Sequence, residues 1–160
     1  MAQQRYSHLL MNTPLAITSW YDISNGYRTR YLREFAGSSE LHLTLELGGL
    51  SLHASRYKVK WLPTPVVQYS YLHSNTYKRC RSLLLGSVKD PVYNTYPVGN
   101  TAGNVLQWFT GISRWADSCY TATKLALAQN GVDTPTIMFP HQLMDYLYDH
   151  CRICGQSENR

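Results

Sequence analysis

Cys151 and Cys154 stand near the end of the chain, separated by two residues, with His150 before them and Gly155 behind. A Cys-x-x-Cys-Gly turn supplies two of the four ligands that a tetrahedral structural zinc site needs. No second pair follows, so Cys80, Cys119, His141 or His150 would have to complete the set across the fold. On a helix running through Cys154, His150 and Cys154 fall at i,i+4, and Cys151 and Cys154 at i,i+3, so all three share one side. Redox chemistry fits less well, because a reactive dithiol belongs at a helix N-terminus, where the dipole lowers a thiol's pKa. The plain reading, which the sequence favours, is two small, nearly apolar side chains finishing a buried stripe.

A second set of ligand-type residues lies on the stretch ELHLTLELGGLSLHAS. Folded as a hairpin, it gathers His42, Glu46 and His53 on one face, and two histidines with a carboxylate can bind iron or zinc. Ordinary solvent-facing positions of a half-buried hairpin look the same. The sequence holds no nucleophile elbow, phosphate-binding glycine loop or zincin motif. VGNTAGN from Val98 could offer amides to an anion, but a helix cap explains it fully. Asp145 and Asp149, at i,i+4, read as a solvated helix face rather than an acid–base pair.

The distribution of positive charge is the best-supported signal. Nine of the 15 basic residues fall in three triplets: Arg28, Arg30, Arg33; Arg56, Lys58, Lys60; and Lys78, Arg79, Arg81. From Leu47 through Lys89 there are seven basic residues and no acid. On a strand, Arg56, Lys58 and Lys60 share one face about 6.6 Å apart, the scale on which an extended nucleic-acid strand repeats its phosphates. Tyr27, Tyr31, Tyr57, Tyr69, Tyr71 and Tyr77 interleave with these cations. Cations for phosphates and aromatic planes for unpaired bases are what single-stranded binding requires. Arg56, Lys58, Lys60, Lys78, Arg79 and Arg81 are therefore the candidate phosphate contacts, with Tyr69 and Tyr71 as candidate stacking platforms. Outward cations and sheet-capping tyrosines are also common for packing reasons alone, and Tyr69 and Tyr71 could equally be core.

The elements that must position these groups divide near residue 100. Leu41, Leu43, Leu45 and Leu47 alternate with polar residues, and Gly48-Gly49 makes a two-residue loop. Leu47 then faces Leu50 and Leu45 faces Leu52, with leucines of both arms on one face. The apolar parity flips between Ala54 and Tyr57, which requires a bulge or turn near Ala54-Ser55. RYKVKW, VVQYSYL from Val66 and GYRTRYL from Gly26 read as further strands, and residues 86–100 as loop. Val105, Phe109, Ile112, Ala116, Cys119, Thr123 and Ala126 follow at helical steps, with Asn130-Gly131 as the stop. Pro140 opens a second helix, with Leu143 and Leu147 on one side.

The expected fold is α+β: an antiparallel sheet of about 4–5 strands over residues 26–85, followed by helices over 101–130 and 140–154 packed on one face. The 160 residues make a single domain, with an N-terminal arm over 1–25, the sheet over 26–99 and a helical part over 100–155. Apolar residues are 44% of the chain, enough for a core, and no apolar run reaches membrane-spanning length. The formal charge is +5 and the pI near 9.1, which suits an anionic partner. Four scattered cysteines point to a reducing compartment or organelle interior rather than to secretion. The first 21 residues lack acids, as targeting peptides do, but carry only one Arg.

The order of sheet first and two helices last resembles the architecture of small RNA-phage coat proteins. The likeness is one of architecture, and no residue is carried over from it. The function expected is a non-enzymatic structural subunit of a larger assembly, coat-like or ribonucleoprotein, with a basic, tyrosine-rich sheet surface against RNA. One alternative is an accessory subunit of a large protein complex, for example in an organelle, without nucleic acid. The other is a small zinc-binding module using Cys151, Cys154 and His150, zinc being the one cofactor the sequence suggests.

Overall fold

A computed structural model of the chain describes residues 12–54, 59–94, 120–137 and 139–150. In chain order the elements are β1 (Thr13–Asp22), α1 (Tyr27–Ala36), β2 (Glu40–Leu47), β3 (Leu50–Ala54), β4 (Val59–Pro63), α2 (Thr64–Leu72), β5 (Tyr77–Val88), α3 (Thr121–Gln129) and α4 (Pro140–His150). The strands form one antiparallel sheet in the order β4-β3-β2-β1-β5. The class is α+β, as expected, with α3 and α4 after the last strand. Among the described residues no helix is long and apolar enough to cross a membrane.

The β2–β3 hairpin follows the leucine pattern, with Leu47 opposite Leu50 and Leu45 opposite Leu52. Of the two loop glycines only Gly48 takes a positive φ, +63°. A Cβ there would lie 2.9 Å from Thr13 Cγ2, so both backbone conformation and space demand glycine. The parity flip after Ala54 is a chain reversal, since Ala54 pairs with Val59 across β3 and β4. Asn130 caps α3 and Gly131 follows at φ +89°, the stop that Asn-Gly signals.

Four expectations need correction. The sheet starts at Thr13, so the stretch read as an arm holds β1, an inner strand flanked by β2 and β5. Its last strand runs on to Val88, past the expected boundary. GYRTRYL is not a strand but the start of α1, which ends on Gly37 at φ +75°, whose N–H donates to the Arg33 carbonyl. VVQYSYL is likewise α2, not a strand. Pro65 sits in its first turn, and its two buried residues, Val67 and Tyr71, are spaced i,i+4. In both segments β-branched and aromatic propensity yields to tertiary packing. The helix expected over 101–130 is described from 121, and the one over 140–154 as far as His150.

One sheet face is leucine-rich and dry. Leu15, Ile17, Leu43, Leu45, Leu47, Leu52 and Leu83 form a cluster with Ala126 and Leu127 of α3 and Leu143, Met144 and Leu147 of α4. The opposite face is aromatic and polar. There α2, the connection from edge strand β4 to edge strand β5, sets Val67 and Tyr71 against Trp20.

Candidate functional site

Beyond Ile17 and Leu83 the leucine face turns polar, because two irregularities flank the same point of β1. Against β2 the register slips between Trp20 and Tyr21, so Tyr21 meets Glu40 and Leu41 is skipped. Against β5 it slips between Ser19 and Trp20, so Ser19 meets Arg81, Trp20 meets Arg79, and Cys80 is the extra residue. Bulges re-aim side chains, and here they turn Glu40 and Cys80 toward Arg81, which plain alternation from Leu83 already places beneath α4.

Glu40 is buried and fully engaged. Its Oε2 accepts from Ser19 Oγ (2.8 Å), Cys80 Sγ (2.7 Å) and Arg81 Nε (2.9 Å), and its Oε1 from Arg81 Nη2. Arg81 also donates from Nη1 to Asp145 Oδ1 (2.6 Å) and from Nη2 to the His141 carbonyl (3.2 Å). Burial pushes the Glu40 carboxyl up, but Arg81, Cys80 and Ser19 outweigh it and hold it below 4.5. Burial and the Glu40 carboxylate push the Cys80 thiol up. A thiol held protonated is a poor nucleophile, and the Arg81 bonds to Glu40, Asp145 and the His141 carbonyl make the cluster a clamp between sheet and α4. An open pocket of about 540 Å³ lies over it, lined by Tyr21, Ser38 and His141 as well as the clamp. The Nδ1 of His141 is buried without a hydrogen-bond partner among the described residues.

The other face holds a second buried acid. Trp20 Nε1 donates to Thr44 Oγ1 (3.0 Å), and Thr44 Oγ1 donates to Glu46 Oε1 (3.1 Å). Glu46 Oε2 is buried with no hydrogen-bond partner among the described residues. Burial, only partly offset by Thr44, Thr18 and the charge of Arg79, pushes the Glu46 carboxyl up to about 7. His42 packs in a triangle of rings with Tyr71 and Tyr77, and its Nε2 shares a 2.5 Å hydrogen bond with the Tyr71 hydroxyl. Burial, with a smaller contribution from His53, lowers it to about 3, so it is neutral. His42 and Glu46 are thus each committed to packing partners, and among the described residues no group of three or more His, Cys, Asp or Glu could hold a metal ion.

The expected phosphate contacts separate. Lys60 is exposed and pairs with His53, on the α2 side of the sheet. Arg79 is exposed on the same side, its guanidinium 5.6 Å from the Trp20 ring. Lys78 is exposed and, by alternation, directed to the other side. Arg81 is spent on Glu40 and Asp145. Tyr71 is core, stacked on Trp20 with centroids 5.0 Å apart, whereas Tyr69 is exposed and stacks on His73 at 4.1 Å. His150 is exposed against Tyr146, its Nδ1 3.0 Å from the Tyr146 carbonyl. Arg56, Lys58, Cys151 and Cys154 lie outside the described residues.

Two helix faces missed as such in the sequence expose apolar side chains. On α2 they are Val66, Tyr69 and Leu72, and on α1 Tyr27, Tyr31 and Phe35. The second set repeats at i, i+4 and i+8, a helical period that a strand reading of the same letters conceals. Compared with protein-family models, with curated proteins and with solved structures, the chain matches none.

Proposed function

We propose that the chain is a non-enzymatic structural subunit of a larger assembly and that its anionic companion is RNA. The observation that carries the reading is the outer side of α2. Val66, Tyr69 and Leu72 are 60%, 65% and 52% exposed on a helix, TPVVQYSYL, that contains no charged residue. The inner side of the same helix is already anchored by Val67 and Tyr71. A rigid, uncharged, partly aliphatic outer side has the composition of a protein–protein contact. Lys60, Lys78 and Arg79 are exposed and form no ion pair among the described residues, which leaves them for phosphates.

The division of those cations between sheet sides, and the consumption of Arg81, favour a second reading in which the neighbours are proteins only. Size-exclusion chromatography with light scattering, at low and high salt and with absorbance at two wavelengths, separates the two. A multimer carrying nucleic acid that high salt releases is the expected result. A multimer free of nucleic acid supports the second reading, and a clean monomer at every salt overturns both. In the Val66→Ser/Leu72→Ser variant the multimer is expected to dissociate while the circular dichroism is kept.

A further inference from the structure

The geometry points to α1, not the sheet, as the surface that takes single-stranded RNA. Tyr27, Tyr31 and Phe35 offer their rings to unpaired bases, and Arg30 and Arg33, with Lys78 of β5, meet the phosphates. This inference rests on RNA being the companion of the assembly.

Tyr27 is 87% exposed, Tyr31 43% and Phe35 55%, while Leu32 is the buried residue that fixes the helix to the body. Positions four apart rise about 6 Å along a helix, so the three rings form a row rather than a knot. The Tyr31 and Phe35 rings lie within 13° of parallel at 6.2 Å between centroids. Phe35 is braced edge-on by buried Phe139, 5.7 Å away at 73°. Tyr31 and Phe35 are thus held in register before any ligand arrives, as a stacking platform needs, because every base presents a π-face to them.

Charge selects the occupant. The helix YRTRYLREFA carries Arg28, Arg30 and Arg33 against the single acid Glu34. Neither Arg30 nor Arg33 forms an ion pair among the described residues. Ile23 N–H donates to the Thr76 carbonyl at 2.7 Å, which brings the start of β5, and so exposed Lys78, beside the segment leading into α1. The helix α2 carries no charge, whereas α1 carries three arginines among its exposed rings. The three rings of α1 are all aromatic and are interspersed with guanidinium groups, which suits bases and phosphates together.

The test is fluorescence anisotropy of a labelled oligouridine with the full chain over a range of salt. Replacing Tyr27 and Tyr31 together by Ala is expected to weaken binding by at least about fivefold per ring. Arg30→Gln is expected to flatten the salt dependence by about 0.7 in log–log slope. Leu125→Ala, at an exposed apolar position of α3, serves as the control and is expected to bind as the parent does. Tyr27 and Tyr31 are exposed, so the circular dichroism of the double variant is expected to match the parent's. If the parent binds oligouridine and the double variant binds equally well, α1 is not the site, although the RNA reading stands. If the parent binds no RNA at all, both fall. Loss of multimer size with RNA affinity intact makes α1 a protein interface and overturns the inference.

Discussion

Glu40 and Glu46 lie on the same strand, are both buried, and have opposite fates. Glu40 accepts four hydrogen bonds and is held ionised. Glu46 accepts from Thr44, keeps one oxygen unpaired, and is pushed up to about 7. Even numbering would put both on one face. The slip that skips Leu41 turns Glu40 over to the leucine side, where Arg81 can reach it, and leaves Glu46 among hydroxyls and rings. Burial penalises both carboxylates, and the supply of donors decides which one stays charged.

The largest expected effect comes from making Glu40 resemble Glu46. Arg81→Met leaves a buried carboxylate uncompensated and is expected to cost about 3–5 kcal/mol in urea unfolding. Combining it with Glu40→Leu is expected to recover most of that loss. Equal losses in the single and the double variant would mean that Arg81 acts through Asp145 alone.

Glu46 gives a smaller effect that depends on pH. Between 4.5 and about 7 the folded chain holds a proton on Glu46 that the unfolded chain has released, so stability falls as pH rises through that span. His42 acts the other way. Between about 3 and 6.5 the unfolded chain binds a proton that the folded chain refuses, so stability rises with pH. Over the range they share the two slopes cancel. In Glu46→Gln the opposing slope is gone, while His42, and with it His53, which burial and Lys60 also hold low, still favour higher pH. The stretch is therefore expected to become a rise of at least ~1.4 kcal/mol per pH unit. Above pH 7 the variant is expected to exceed the parent by at most about 3 kcal/mol. Parallel pH profiles for the two proteins would show that Glu46 ionises normally.

The smallest effect is at Ser19. Ser19→Ala removes one donor from Glu40 and is expected to cost about 1–2 kcal/mol at neutral pH. Because Glu40 then moves back toward its ordinary value, less of the remaining stability should be lost in acid. Unfolding at pH 7 and pH 4 checks both.

The contrast between the two acids also shows where the sequence is legible. Leu43, Leu45 and Leu47 announce the hairpin and its register, because a period of two with a glycine turn has one solution. The end of α3 at Asn130-Gly131 and the opening of α4 at Pro140 are equally local signals. Tyr71 and Val67 are not, since a run rich in valine and tyrosine looks like a strand until Trp20 supplies the surface that rewards i,i+4 spacing. β1 hides for a similar reason: Pro14, Thr13 and Thr18 break its apolar run, and only β2 and β5 on either side make it a strand. The clamp is invisible in the sequence because alternation assigns Glu40 to the wrong face, and only the slip against β2 between Trp20 and Tyr21 corrects it. Arg81 therefore read as a free cation in the sequence and is a fixed one in the fold.

β1 sits between β2 and β5, and its pairing with the latter spans Thr13 to Val88. A ribosome finishes β1 on the order of several seconds before it finishes β5. Through that interval the side of β1 that will meet β5 carries unpaired amides and carbonyls, and Leu15 and Ile17 await Leu83. The last strand made thus acts as a seal over the first, and the nascent chain is most vulnerable to aberrant pairing along β1 until Val88 has been added.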